Sequence, residues 1–163
     1  MPTPVLAVSA DAPAEVAADV LVLAVRSVDG GAALALPAGV EAAAVGLEGV
    51  DLAAIGASAS AGDLVRLPSS GLAAATVALV GLGPATDGDA LRNAAAAAVR
   101  RLAGTEHVAL ALPSEDADQA AAVLEGAALG AYAFTEYRSK TLAGQKAPVR
   151  RVTVLAGDEG AVR

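Results

Sequence analysis

The sequence predicts an α/β fold, a three-layer sandwich built around a mixed, largely parallel sheet. Three observations lead there. Several short runs are apolar throughout instead of alternating with polar residues, the pattern of strands covered on both faces. Between the later runs lie two segments with apolar residues at helical spacing. From residue 76 to residue 155 these segments follow one another as strand, helix, strand, helix, strand. That order builds parallel pairs through right-handed crossovers, which need helices on the sheet faces.

Taken in chain order, Val5–Ser9 (VLAVS) and Val20–Val25 (VLVLAV) read as strands from their continuous apolarity and β-branched content. The stretch 30–62 is rich in Gly and Ala; Gly39–Leu47 and Asp51–Ala57 are expected as short helices broken by Gly46, Gly49 and Gly56. Asp63–Leu67 alternates like a strand and stops at Pro68, and Ser69-Ser70-Gly71 makes a turn. Thr76–Val80 is an apolar strand that runs into Gly81-Leu82-Gly83-Pro84. Thr86, three residues before Asp89, suits a capping box for the first helix. In that helix Leu91, Ala95, Ala98 and Leu102 form one stripe while Arg92 and Arg100 point away, and Gly104 ends it. His107–Leu112 is the next strand, stopped by Pro113. Ser114 is the expected cap of a second helix, with Glu115, Asp116 and Asp118 near its positive end. Its apolar stripe is Ala120, Val123, Leu124, Ala127, Ala131 and Phe134, and after a loop through Gly144 and Pro148 the strand Val149–Leu155 closes the pattern.

Composition narrows the class. The chain has 163 residues, 55% of them hydrophobic but only 2% aromatic, so its core must be packed from Ala, Val and Leu with backbones close together. No run reaches the ~18 uninterrupted apolar residues of a membrane-spanning helix. The amino terminus lacks a cationic and apolar leader pattern, and a cytoplasmic location is expected. With no cysteine, disulfides, thiolate metal sites and cysteine nucleophiles are excluded. The net charge of −7 disfavours a nucleic-acid surface, although residues 132–163 carry six basic and three acidic side chains. That basic end reads either as a solvated terminal segment or as a contact surface for a following domain or a subunit.

Candidate chemistry along the chain is fragmentary. His107 is the single histidine, and any triad would have to pass through it. Gly56-Ala57-Ser58-Ala59-Ser60 resembles a nucleophile elbow but lacks the last Gly. Asp87 with Asp89, and Glu115 with Asp116 and Asp118, lie at helix starts, where carboxylates stabilise the helix without further purpose. Gly81-Leu82-Gly83-Pro84-Ala85-Thr86 follows a strand, precedes a helix and fits a glycine-rich phosphate turn, with Glu115 placed to meet a ribose hydroxyl. Pro84 removes a donor from that turn, Asp87 and Asp89 would repel phosphate, and no Walker lysine is present.

One stretch resembles a known family. Glu125-Gly126-Ala127-Ala128-Leu129-Gly130-Ala131-Tyr132-Ala133-Phe134, followed by Tyr137-Arg138-Ser139-Lys140, is similar to the end of the amino-terminal domain of leucyl (cytosol) aminopeptidases. Val77–Gly83 and the helix with Arg92 and Ala94–Ala98 match the same pattern, so the resemblance is specific over residues 76–155. It implies an α/β domain related to macro domains, spanning residues 1–157, with 158–163 beginning a linker to a catalytic domain. In such a parent the second domain binds two divalent ions, manganese or zinc, and removes N-terminal residues from peptides. The parent is expected to be a cytoplasmic hexamer. The signature Asn-Thr-Asp-Ala-Glu-Gly-Arg of that catalytic domain does not occur here, so no catalytic, cofactor-binding or metal residue is carried onto this chain. The expected partners are its own catalytic domain and further subunits, with peptides as the parent's substrate and neither membrane nor nucleic acid. The alternative is a free-standing macro-domain-like module that grips a nucleotide or ADP-ribose with the Gly81–Thr86 turn.

Overall fold

The computed structural model describes residues 4–37, 39–69, 71–136 and 149–155, the side chains of 132–136 excepted. Ser70 of the expected turn, the motif residues Tyr137–Lys140, the loop through Gly144 and Pro148, and the expected linker 158–163 lie outside the described residues, as does the side chain of Phe134. The elements in chain order are β1 Val5–Ser9, β2 Val20–Val28, β3 Gly31–Ala35, β4 Leu64–Pro68 and β5 Thr76–Gly83. They are followed by α1 Gly88–Arg101, β6 His107–Leu110, α2 Ala117–Glu136 and β7 Arg151–Leu155.

One seven-stranded sheet runs β1-β7-β6-β2-β5-β4, with β3 paired to β2 off this path. The pairs β1–β7, β7–β6, β6–β2 and β2–β5 are parallel, while β2–β3 and β4–β5 are antiparallel. The sheet is therefore mixed and largely parallel, as the sequence predicts. Strand β2 is its centre, with every residue from Val20 to Val25 fully buried.

One edge of β2 is shared by two partners in succession. Val20–Val22 pair with β6, and from Ala24 onward the same strand pairs with β3. The changeover is made possible by a two-residue hairpin: Asp29 and Gly30 both take positive φ, at 49° and 79°. Two successive positive-φ residues are what a type I′ hairpin requires, and Asp-Gly supplies them at low cost. This turn extends β2 three residues past its expected end at Val25.

Alternation along the strands divides the core in two. Val20, Val22, Val80, Val108, Leu110, Val152 and Val154 face the helix layer and pack on Leu91, Ala95, Ala98 and Leu102, the stripe expected of α1, together with Val123, Ala127 and Ala131 of α2. Leu21, Leu23, Val25, Val77, Leu79 and Leu155 face the opposite side, where Val45, Leu47, Leu52 and Ala57 cover them. That second layer is not helical in the way the sequence suggests. The expected helix 39–47 is a single 3-10 turn, Ala42–Val45, closed by Gly46 at φ 73°. The expected helix 51–57 is a series of turns that start where Asp51 accepts from the amides of Ala53 and Ala54. Positive φ at Gly46, Gly49 and Gly56 ends each turn before a helix can nucleate.

Both helix caps also fall later than expected. Asp87, not Thr86, caps α1 by accepting from Ala90 N at 2.9 Å. Asp116, not Ser114, accepts from Gln119 N at 2.8 Å, and the Gln119 side chain reaches back to Glu115 N. Aspartate displaces Thr and Ser because its charge also interacts with the helix dipole.

The two helices lie against each other unusually closely. A Cβ added at Gly126 would fall on the carbonyl oxygen of Arg92, and one at Gly130 would come within 2.5 Å of the Ala96 oxygen. Residues 126 and 130 of α2 thus sit backbone-to-backbone on residues 92 and 96 of α1. Any side chain there would separate the helices, so two positions of the family-like motif are explained by packing alone.

Candidate functional site

The residues singled out in sequence do not assemble around one centre. His107 begins β6, where its Nε2 lies 2.9 Å from Thr153 Oγ1 and its backbone amide donates to Asp19 Oδ2. The carboxylate therefore holds the strand and not the imidazole ring, so the three residues make no triad. Burial first, and then the charge of Arg151, lowers the ring's pKa from 6.5, while the Ala17 backbone and Asp19 oppose them. Ser58 and Ser60 of the elbow-like run bond each other, Ser60 N donating to Ser58 Oγ at 3.0 Å. They lie on a turn segment, not between a strand and a helix.

The glycine-rich turn has a structural purpose of its own. Gly81 and Gly83 belong to the end of β5, and their amides donate to Asp63 O at 2.8 Å and Ala59 O at 2.7 Å. A Cβ at Gly81 would run into the carbonyl oxygen of Ser60. These glycines admit the 58–63 backbone, and their own amides are already taken. Together with Pro84 and the capping Asp87, this argues against a nucleotide held as in a dinucleotide fold.

Three of the acids are likewise occupied. Asp87 and Asp116 cap helices, and Asp89 holds Arg92 Nη1 at 2.7 Å. Arg92, expected to point away from the helix stripe, instead bridges the helices: its Nε lies 3.4 Å from Glu125 Oε2 on α2. That nitrogen is shielded from solvent and has no well-aligned acceptor, so the pair acts by charge more than by hydrogen bonding. Asp89 first, and then Glu125, raise the pKa of the guanidinium. Among the described residues, no three His, Asp or Glu side chains gather where they would hold a metal ion.

Two crevices open at the carboxyl ends of the parallel strands. One, of about 590 Å³, lies between the β2–β3 hairpin tip and the 57–61 segment and is lined by Ser, Gly, Ala and Pro84. The other, of about 280 Å³, brings Thr86 and Glu115 together with Arg26, Gln119, Pro113 and residues 34–36 of the strand end. Sequence reasoning singled out Thr86 and Glu115 for a different reason and missed Arg26 and Gln119. Nothing in the local sequence marks those two, since it is the strand order that puts β2 beside the start of α2.

The geometry describes a small α/β domain with one helical face, one turn-covered face and, among the described residues, no gathered catalytic constellation. Comparison with known proteins assigns it. The profile of the cytosol aminopeptidase family, N-terminal domain, matches residues 32–141, and the chain belongs to that family. A probable cytosol aminopeptidase of Leifsonia xyli subsp. xyli is 51% identical over 162 residues, covering 98% of this chain and 32% of the relative. A counterpart from Clavibacter michiganensis subsp. michiganensis is 45% identical over 157 residues, covering 96% and 30%. The chain thus spans about a third of the length of the curated relatives it matches. Among solved structures, a tomato leucine aminopeptidase variant superposes with a TM-score of 0.67 at 20% identity, over 98% of this chain and 34% of that one, and shares the fold. A bottromycin maturation enzyme, BotP, solved in complex with Mn, matches with a TM-score of 0.57 at 30% identity, over 90% and 28%.

Proposed function

We propose that this chain is the non-catalytic first domain of a dimetal aminopeptidase, with a role in assembly, access or regulation. The observation that carries the reading is the match itself: nearly the whole chain aligns with only about a third of each relative, under an N-terminal domain profile. Peptide hydrolysis and the two divalent ions, manganese or zinc, then belong to the remaining two thirds. The cytoplasm is the proposed location. Among the described residues no helix is long and apolar enough to cross a membrane.

A contact surface suits this reading at the β1–β7 end of the sheet. Val5 and Leu6 are 53% and 39% exposed on the edge strand β1, and Val5 pairs in register with the exposed Arg151. Arg150 beside it makes only a 3.8 Å surface pair with Glu106, a contact too weak to fix it in place. Apolar area next to exposed, loosely held cations is what a docking face offers. The test is hydrolysis of a leucyl chromogenic substrate with added manganese. This chain is expected to release no chromophore, whereas the full-length Leifsonia xyli relative releases it. Turnover by the 163-residue chain at levels beyond contamination would overturn the reading.

A further inference from the structure

The crevice beside Arg26 lies where this topology favours a ligand. Past the hairpin strand β3, which flanks the carboxyl half of β2, the chain leads on to β4 and β5 on one side of the sheet centre, whereas from β6 it passes through α2 to β7 on the other. Adjacent strands whose connections diverge define a switch point, and the opening outside their carboxyl ends is the usual binding position in open α/β sheets. Arg26 comes from the end of β2, and Pro113, Glu115 and Gln119 come from the segment after β6.

The chemistry of the lining restricts the ligand. Arg26 and Glu115 carry opposite charges on the same crevice, yet they form no ion pair with each other, and among the described residues neither side chain has a hydrogen-bonded or ionic partner. Arg26 stands on β2 and Glu115 just before the capped start of α2. Gln119 spends its carbonyl oxygen on Glu115 N, which leaves its amide donors free to face a ligand. Leu34, Leu36 and Pro113 supply apolar surface beside these groups. A phosphate is disfavoured by Glu115 and by the capping carboxylates of Asp87 and Asp116 at the two neighbouring helix starts. At about 280 Å³ the crevice lies just below the roughly 300–1,000 Å³ of pockets that hold drug-sized ligands, which favours a small one.

We infer that this crevice binds a free α-amino acid with an apolar side chain, its carboxylate on Arg26, its ammonium on Glu115 and its side chain against Leu34, Leu36 and Pro113. Binding rests on the crevice alone. A regulatory meaning rests on the function proposed above, because free amino acids are the product class of an aminopeptidase.

The experiment is a titration of the isotopically labelled 163-residue chain, followed through its amide NMR spectrum, with L-leucine, N-acetyl-L-leucine and L-leucinamide. L-Leucine should shift the amides of Leu34, Leu36 and Gln119 saturably. Each blocked analogue loses one charge and should bind about tenfold more weakly or worse, as should Arg26→Gln and Glu115→Gln against L-leucine. The variants' unliganded spectra report whether the fold is intact. No saturable shift up to about 20 mM L-leucine, beyond the millimolar range of weak sites, overturns the inference. So does equal binding of the blocked analogues, or undiminished binding by both folded variants. Peptide hydrolysis by the longer protein tests the proposed function separately, so either idea can fail without the other.

Discussion

His107 is a good example of a residue whose chemistry is set by its neighbours. Alone in the chain, it invites a catalytic reading, but the structure gives it a hydroxyl partner on β7 and a half-buried place beside Arg151. Both burial and that cation favour the neutral ring, so its folded pKa lies below the unfolded value of about 6.5. Well above pH 6.5 the ring is neutral in both states, and its contribution is complete. As pH falls through 6.5 the unfolded chain takes up the proton first, and stability is lost until the folded ring is also protonated. Thermal melts between pH 7.5 and pH 5 should therefore fall more steeply for the native chain than for His107→Gln, which keeps a polar group near Thr153. Parallel slopes for the two proteins would show that other groups carry the acid sensitivity.

At the scale of elements, the α1–α2 pair is held by the absence of side chains. Alanine normally stabilises a helix relative to glycine by about 1 kcal/mol. At Gly126 the sign should reverse, because a methyl group would collide with the Arg92 carbonyl and push the helices apart. Overpacking of this kind costs roughly 1–3 kcal/mol, and more when backbone must move. Gly126→Ala is expected to lower the urea midpoint, while a rise in midpoint would mean that the helices separate easily. The 39–57 stretch shows the opposite lesson. Its alanines favour helix locally, but positive-φ glycines every few residues cut it into turns, which nevertheless bury Val45, Leu47 and Leu52 against the sheet.

For the whole molecule, the two faces of the sheet are unequal. Both helices cover one face, turns cover the other, and β1 leaves an apolar edge next to Arg150 and Arg151. Reversing the charge of both arginines in the full-length protein should weaken docking or assembly by disrupting this face, since rim charges govern complementarity. Sedimentation together with peptidase activity measures it. An unchanged assembly mass and unchanged activity would remove the β1–β7 end from consideration as a contact surface.

Much of the fold was legible in the chain because its signals are local. Runs such as Val20–Val25 and Val77–Val80 are too short and too continuously apolar to be anything but covered strands, and the stripe of Leu91, Ala95, Ala98 and Leu102 marks one buried helix face. The Asp29-Gly30 turn is an equally local hairpin signal, but the Gly- and Ala-rich stretch after it obscured it, and neither the end of β2 nor strand β3 was expected. The motif around Gly126 and Gly130 carried the family resemblance before its packing reason was visible. Three things could not be read from residue order. The strand sequence in the sheet, the backbone contact that requires Gly81, and the meeting of Arg26 with Glu115 all join positions far apart in the chain. Periodicity and turn chemistry act over a few residues, whereas these contacts exist only once the sheet has chosen its neighbours.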